Sequence, residues 1–531
     1  MKFNLTYRMK RIAIILIFFL SSRGVHSQDN VDVVHYKFEI NLSDKNDSID
    51  AKAFITVKFI KPSNRFWLNL SSVKNGKGMV IRAAKENGHG VFATHYNDTL
   101  VIELANLSKA DELRTFEVQY TGVPSDGLII SQNKFGDRTF FSDNWPNRAH
   151  NWIPCKDEPG DKATFEFVVT APSQYRVVSN GKLEEEKLLD ENKKITHWKE
   201  DVSLPTKVMV IGVAKFAVKQ FEDSPGDVPV SAWVYPQDSV NGFRNYSIAP
   251  SIVKFFSKYI GPYPYNKLAN VQSKTIFGGM ENASAIFYNE ETAEENISVE
   301  DLMAHEIAHQ WFGDMATEKK FSHLWLSEGF ATYMANIYLE SKYGHDSMNN
   351  RLIQERQKVI GYVKSFGKPV VDSISSLMTL LNPNSYEKGG WILHMLRRQM
   401  GDSTFQTFIR KYYDRYKGKN ADTEDLEKIA EEVSGKNLQQ FFQQWLYTPG
   451  IPQLKIEWHY NKNNKTVSIQ VMQQQKTIFQ FPLEVKLEGD KSVNKTLNIS
   501  ARSETFSIPA STEIRKIYFD PDASLLFEEV K

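Results

Sequence analysis

The sequence predicts a multidomain α+β protein, with an antiparallel β domain first, a mostly helical domain second and a small β-sandwich last. Three observations carry this expectation. Apolar residues alternate with polar ones from residue 31 to about 236, recur at helical spacing from there to about 450, and alternate again to the C-terminus. The expected segments are therefore a leader at 1–27, a β domain at 28–236, a mostly helical domain at 237–449 and a sandwich at 450–531. A chain of 531 residues, 41% apolar and 24% charged, has the composition of an ordinary globular protein with several cores.

The leader reads as a secretory signal peptide. Lys2, Arg8, Lys10 and Arg11 precede an apolar run at 12–20, and a polar stretch ends in Val25-His26-Ser27, with cleavage expected after Ser27. The run is too short for a bilayer span, which needs about 20 residues, so the expectation is an exported, periplasmic or extracellular protein without a stable membrane span. Cleavage would remove five positive charges and shift the formal net charge of +1 to about −4. Nothing in that balance points to nucleic acid. The single cysteine, Cys155, allows neither an internal disulfide nor a cysteine metal site.

Within the first β region, the segment 145–159 is irregular, with three prolines and two tryptophans, and reads either as a packed loop or as a substrate-facing one. After a last strand at 230–235 the period changes, and Ile248, Ile252, Val253, Phe255, Phe256 and Tyr259 form a helical stripe. An extended piece at 268–276 leads into Phe277-Gly278-Gly279-Met280-Glu281-Asn282. Adjacent glycines in a strand suggest either a plain turn or a close backbone approach, such as a substrate adding itself as an edge strand. Helices are expected at 331–343, 348–363, 385–400, 404–416, 422–433 and 438–447, with Gly344, Gly401, Gly418 and Gly435 where helices should stop. From 451 the alternation returns, and 461–465 reads as a hairpin tip.

The chemistry is concentrated at 298–328. His305-Glu306-Ile307-Ala308-His309 places two imidazoles on one helix face, within about 40° of each other, with a carboxylate beside them. This is the arrangement of a zinc-activated hydrolase. Ser298 and Asp301 offer an N-cap and Gly313 a stop, so 299–312 is expected to be one helix. Glu328 follows His309 after eighteen residues, enough for a loop and the start of an antiparallel helix. Two histidines and one glutamate leave a zinc position open for water.

Taken in order, Gly278 to Asn282, His305 to His309, Glu328 and Tyr386-Glu387-Lys388-Gly389 resemble the motifs of the gluzincin zinc aminopeptidases, the family of membrane alanyl aminopeptidase, puromycin-sensitive aminopeptidase and leukotriene-hydrolase. The resemblance covers nearly all of the chain after the leader. It implies a thermolysin-like catalytic domain between the two β regions, and a short form without the large helical domain that ends longer members. It further implies one Zn2+ per chain on His305, His309 and Glu328, Glu306 as general base, and Tyr386 as proton donor to the oxyanion. Glu281 would bind the free α-ammonium of a peptide, with Gly278, Gly279, Met280 and Asn282 along the substrate.

Two departures stand out. Ser327 precedes the zinc glutamate where Asn is frequent. Trp145 occupies the position, ten residues before Cys155, where the family usually has Glu or Gln as a second amine contact. Two readings stay open there. Either Asp143 makes the second contact with the ammonium while Trp145 supplies a wall or cation-π face, or 140–145 is a packed turn with Asp143 capping backbone amides. Two other functions also remain in play. A thermolysin-like endopeptidase would place its third ligand one residue further on and would lack the Gly-Gly-Met-Glu-Asn strand. A non-catalytic peptide-binding scaffold of the same fold would be expected to show a broken ligand set.

Overall fold

The computed structural model describes residues 30–531 except 224, 225, 227 and 511, so the expected signal peptide lies outside the described residues. The first alternating region forms an eight-stranded sheet around Val31–Asn41, Ile49–Phe59, Leu113–Val123 and Lys162–Pro172. Its pairings are antiparallel apart from Val31–Asn41 against Lys162–Pro172, which is parallel. Period-two patterning puts Tyr36, Phe38, Ile55, Val57, Phe165 and Phe167 on the buried face. Smaller three- and four-stranded sheets complete this region.

The strands Ala217–Phe221 and Val230–Val234, expected to end the N-terminal domain, instead open the sheet of the catalytic region. That sheet runs Ala217–Phe221, Val230–Val234, Leu268–Ser273, Ala285–Asn289, Gly279–Met280. The structural division therefore falls before 217 rather than at 236. Alternation reports that a segment is a strand and not which sheet it joins, which is why the expected boundary was late.

Gly279–Met280 is the outermost strand of this sheet and pairs antiparallel with Phe287 and Tyr288, so among the described residues its other edge carries no strand. Behind it pack α1 (Ala249–Tyr259), α2 (Glu300–His309), α3 (Trp325–Tyr343), α4 (His345–Ser365) and α5 (Gly389–Met400). Two further helices, Asp402–Tyr416 and Thr423–Ser434, follow. Gly344, Gly401 and Gly435 terminate helices at positive φ, as glycine permits. The expected N-cap at Ser298 is not formed. Helix α2 begins at Glu300 without a side-chain cap, with Glu300 and Asp301 favourable to the positive end of its dipole.

The C-terminal region packs a four-stranded sheet against a three-stranded one, and the hairpin tip lies between Gln453–Asn461 and Thr466–Gln473. It is tied to α4 by an ion pair between Arg356 and the buried Asp520. Among the described residues, no helix is long and apolar enough to cross a membrane.

Candidate active site

Helical spacing brings His305 and His309 together, and the antiparallel α3 delivers Glu328 from its first turn. The three side chains converge: His305 Nε2 and His309 Nε2 are 3.1 Å apart, and each lies 3.3 Å from Glu328 Oε2. A tetrahedral zinc with bonds of about 2.0–2.1 Å sets its ligand atoms about 3.3 Å apart, so the donor set fits in both chemistry and spacing. The His309 Nδ1–H donates to the Phe312 carbonyl at 3.1 Å, which can only accept and so leaves the Nε2 lone pair facing the other two donors. Ser327 Oγ lies 3.1 Å from the same Nδ1. The serine that departs from the usual Asn thus supports the histidine directly.

Electrostatics make this a cation site. Burial disfavours a charged His309, yet Glu328, Glu281 and Glu306 outweigh it and raise the imidazole to about 10. Burial would raise the Glu328 carboxyl, but His309 and His305 hold it well below the usual range. Glu306, one residue along from His305, is buried; burial, Glu281 and Glu328 push its carboxyl above the ordinary range while His309 opposes them.

Glycines set the spacing around these groups. A Cβ on Gly279 would lie 2.4 Å from Glu306 Oε1, so the edge strand reaches the carboxylate only because residue 279 has no side chain. Gly313, at φ +121°, would place a Cβ 2.3 Å from Ser327 Oγ. Gly329 and Gly389 let α3 and α5 touch backbone to backbone, with a Cβ on Gly329 meeting Gly389 Cα at 2.8 Å. That contact holds the Asn384–Lys388 turn, and with it Tyr386, beside Glu328. The Tyr386 ring stacks on His305 at 5.8 Å between centroids.

These groups line one cavity of about 410 Å³, shared with Trp145, Phe277, Gly278, Gly279, Met280 and Glu281 on one flank. The carboxylate oxygens of Glu281 and Glu306 and a nitrogen of His309 lie within 4.8 Å of one another. Glu281 Oε1 is buried and has no hydrogen-bond partner among the described residues. Its backbone is clamped by Gln310, whose Nε2 donates to Glu281 O at 2.7 Å and to Asp314 Oδ2 at 3.0 Å, while Ser284 N donates to Gln310 Oε1. Sequence reasoning missed Gln310, although its place directly after the second histidine of a ligand helix was a signal. Behind it, Lys207 of the N-terminal region and Glu318 form a fully buried ion pair at 2.6 Å.

Two expected site residues lie elsewhere. Asp143 is fully buried and outside the cavity: Oδ1 accepts from Arg148, and Oδ2 from Thr275 Oγ1 and the Ile276 amide. The packed-turn reading is the one the geometry supports, and Asp143 braces the segment leading to Gly278. Asn282 is also fully buried and does not line the cavity. Trp145 does line it, held edge-on by Phe277 and Phe321.

Comparison with known proteins agrees with this layout. Residues 245–445 match the Peptidase family M1 domain, and residues 33–208 match the Peptidase M1 N-terminal domain. The chain belongs to peptidase family M1. As an M1 chain it is 28% identical to "Probable aminopeptidase 2" of Sulfurisphaera tokodaii, over 70% of this chain and 49% of that one. It is 27% identical to Aminopeptidase M1-C of Oryza sativa subsp. japonica, over 70% and 42% respectively. Human glutamyl aminopeptidase matches at 24%, over 82% of this chain and 48% of its own. The chain thus spans about half the length of the curated M1 relatives it matches. In three dimensions it resembles Legionella pneumophila aminopeptidase A, crystallised in complex with aspartic acid, with a TM-score of 0.82 at 18% identity, covering 96% of this chain and 60% of that one.

Proposed function

We propose that this protein is an exported zinc aminopeptidase that removes the N-terminal residue of peptides with a free amine. The observation that carries the reading is the unpartnered Oε1 of the buried Glu281 carboxylate, set in the same cavity as the His305, His309 and Glu328 donors and close to His309. A buried carboxylate left without a cation costs several kcal/mol, so a substrate that brings an ammonium is favoured over one that is blocked. Anchoring the amine there places the first peptide bond, and no later one, at the metal donors.

His305, His309 and Glu328 would hold zinc, which when bound acidifies water and polarises the scissile carbonyl. Glu306 takes the proton of the attacking water at its carboxylate and passes it to the leaving amine, a task suited to a carboxyl raised by burial. The Tyr386 hydroxyl donates to the oxygen on which charge develops. The free edge of Gly279–Met280 supplies backbone groups that orient the peptide. The export reading rests on the leader sequence, Lys2 to Ser27.

The test is hydrolysis of free-amine aminoacyl anilides against their N-blocked counterparts, before and after chelation and zinc return. The reading requires cleavage of the free-amine series only, abolished by chelation and restored by zinc. Cleavage of blocked peptides at internal bonds would establish an endopeptidase instead.

A further inference from the structure

The cavity extends past the metal donors, away from Glu281, to a floor that the proposed chemistry does not use. Helix α2 gives the direction. Glu281 is tied to Gln310 at its C-terminal end, whereas Asp301 and Leu302 near its N-terminus line the far flank, with His305 between them. Gln310 lies nine positions after Asp301, about 13 Å along the axis. The floor of that far flank is Glu355 of α4, with Thr332 and Ala335 of α3 beside it and Arg351, Lys358 and Glu387 around it.

Its hydrogen bonding is incomplete at one atom. Glu355 Oε1 accepts from Asn336 Nδ2 at 2.9 Å, while Oε2 is buried and has no partner among the described residues. The neighbouring cations are engaged elsewhere. Arg351 makes a two-bond pair with Asp301, at 2.8 and 3.1 Å, and donates from Nε to Asn336 Oδ1. Lys358 donates to Glu387 at 2.9 Å. These pairs pin α4 to the helix carrying the histidines and to the turn carrying Tyr386, so the floor is held in place by the same elements as the reacting groups.

We infer that Glu355 is the specificity determinant for the residue following the scissile bond, and that it selects a long cationic side chain, lysine or arginine, at that position. The inference rests on the aminopeptidase reading. With the amine on Glu281 and the first peptide bond at the metal donors, an extended peptide advances about 3.3 Å per residue and turns successive side chains to opposite sides. The first side chain then faces the wall of Trp145, Phe277 and Met280, and the second is directed toward the Asp301 end of α2. Only a long stem reaches a carboxylate at the cavity floor, and a terminal donor completes its open oxygen. Burial raises the Glu355 carboxyl to about 7, with Asn336 and Arg351 opposing, and an arriving cation favours its ionised form.

The experiment compares the tripeptides Ala-Lys-Ala and Ala-Met-Ala, whose second side chains are unbranched and of similar length. The wild-type protein should favour lysine in kcat/KM by roughly tenfold, the scale of one charge-assisted contact. In Glu355→Gln the ratio should fall to within about twofold, and a ratio is insensitive to the fraction of folded protein. Calorimetric binding of both peptides to zinc-loaded Glu306→Gln protein gives the same comparison without turnover. Equal treatment of the two peptides by the wild type, or a lysine preference that survives Glu355→Gln, would overturn the assignment. A binding preference for lysine that vanishes in Glu306→Gln/Glu355→Gln, in a protein whose wild type cleaves neither peptide, would retain Glu355 as the subsite and remove the aminopeptidase reading.

Discussion

Glu306 follows His305 in sequence and the Tyr386 ring stacks on it, and the two are asked for different things. Glu306→Gln keeps the three metal donors and removes the base, so bound zinc should remain stoichiometric by metal analysis while turnover falls by several decades. Tyr386→Phe removes a donor that acts as charge develops, so kcat should fall by about 10²-fold with KM nearly unchanged. A rise in KM alone would make Tyr386 a ground-state binding group. Asp143 makes the opposite kind of claim. Because both its oxygens hold protein donors, Asp143→Asn should lower the melting temperature and leave KM for free-amine anilides within about twofold, since weakening a buried charge-assisted contact costs about 1–3 kcal/mol. A tenfold rise in KM with unchanged melting would return Asp143 to the amine site. The sequence made the ligand pair legible because helix geometry alone puts positions 305 and 309 on one face. It left Asp143 open because a carboxylate that braces a loop and one that meets a ligand look the same until their partners are seen.

At the scale of elements, the decisive contact is between two glycines sixty residues apart, 329 on α3 and 389 at the start of α5. No periodicity announces such a contact, since a glycine in a helical pattern reads only as a weak position. Gly329→Ala would drive its Cβ into backbone and separate the helix of Glu328 from the turn of Tyr386. Overpacking of this kind costs about 1–3 kcal/mol, and a displacement near 1 Å at reacting groups costs about 10²-fold in rate. The expected result is a folded, zinc-binding protein with kcat reduced by about that factor, checked by metal content and steady-state kinetics together. Helix extents in this region were legible from apolar spacing and glycine stops. The edge strand Gly279–Met280 was open between a turn and a close backbone approach; what lies against Gly279 is the Glu306 side chain rather than another backbone, with no room for a Cβ.

For the whole molecule, the order of β, helical and β regions was legible from where the hydrophobic period changes. Which sheet claims the strands at 217–234 was not, because pairing is decided by partners distant in sequence. Stability should carry a pH signature of the interior. Lys388 is fully buried, donates to Gly450 O at 2.8 Å, and burial lowers it to about 7. Its folded pKa lies below the unfolded value of 10.5, so between about pH 7 and 10.5 unfolding takes up a proton and stability rises with pH. The slope from this group is at most about 1.4 kcal/mol per pH unit. Lys388→Met lacks it, so the melting temperature of the variant relative to wild type should decline as pH is raised from 7 to 9. A constant difference would mean that Lys388 is charged throughout.

The buried pair of Lys207 and Glu318 joins residues 111 positions apart, one on each side of the boundary between the N-terminal region and the catalytic helices. A chain synthesised from its N-terminus presents the lysine long before the glutamate exists. An ammonium with no counter-ion is not withdrawn from water at a cost of several kcal/mol. The face of the early region that carries Lys207 is therefore expected to stay hydrated until the later segment arrives, which would make the closing of that seam a late event in the life of each new molecule.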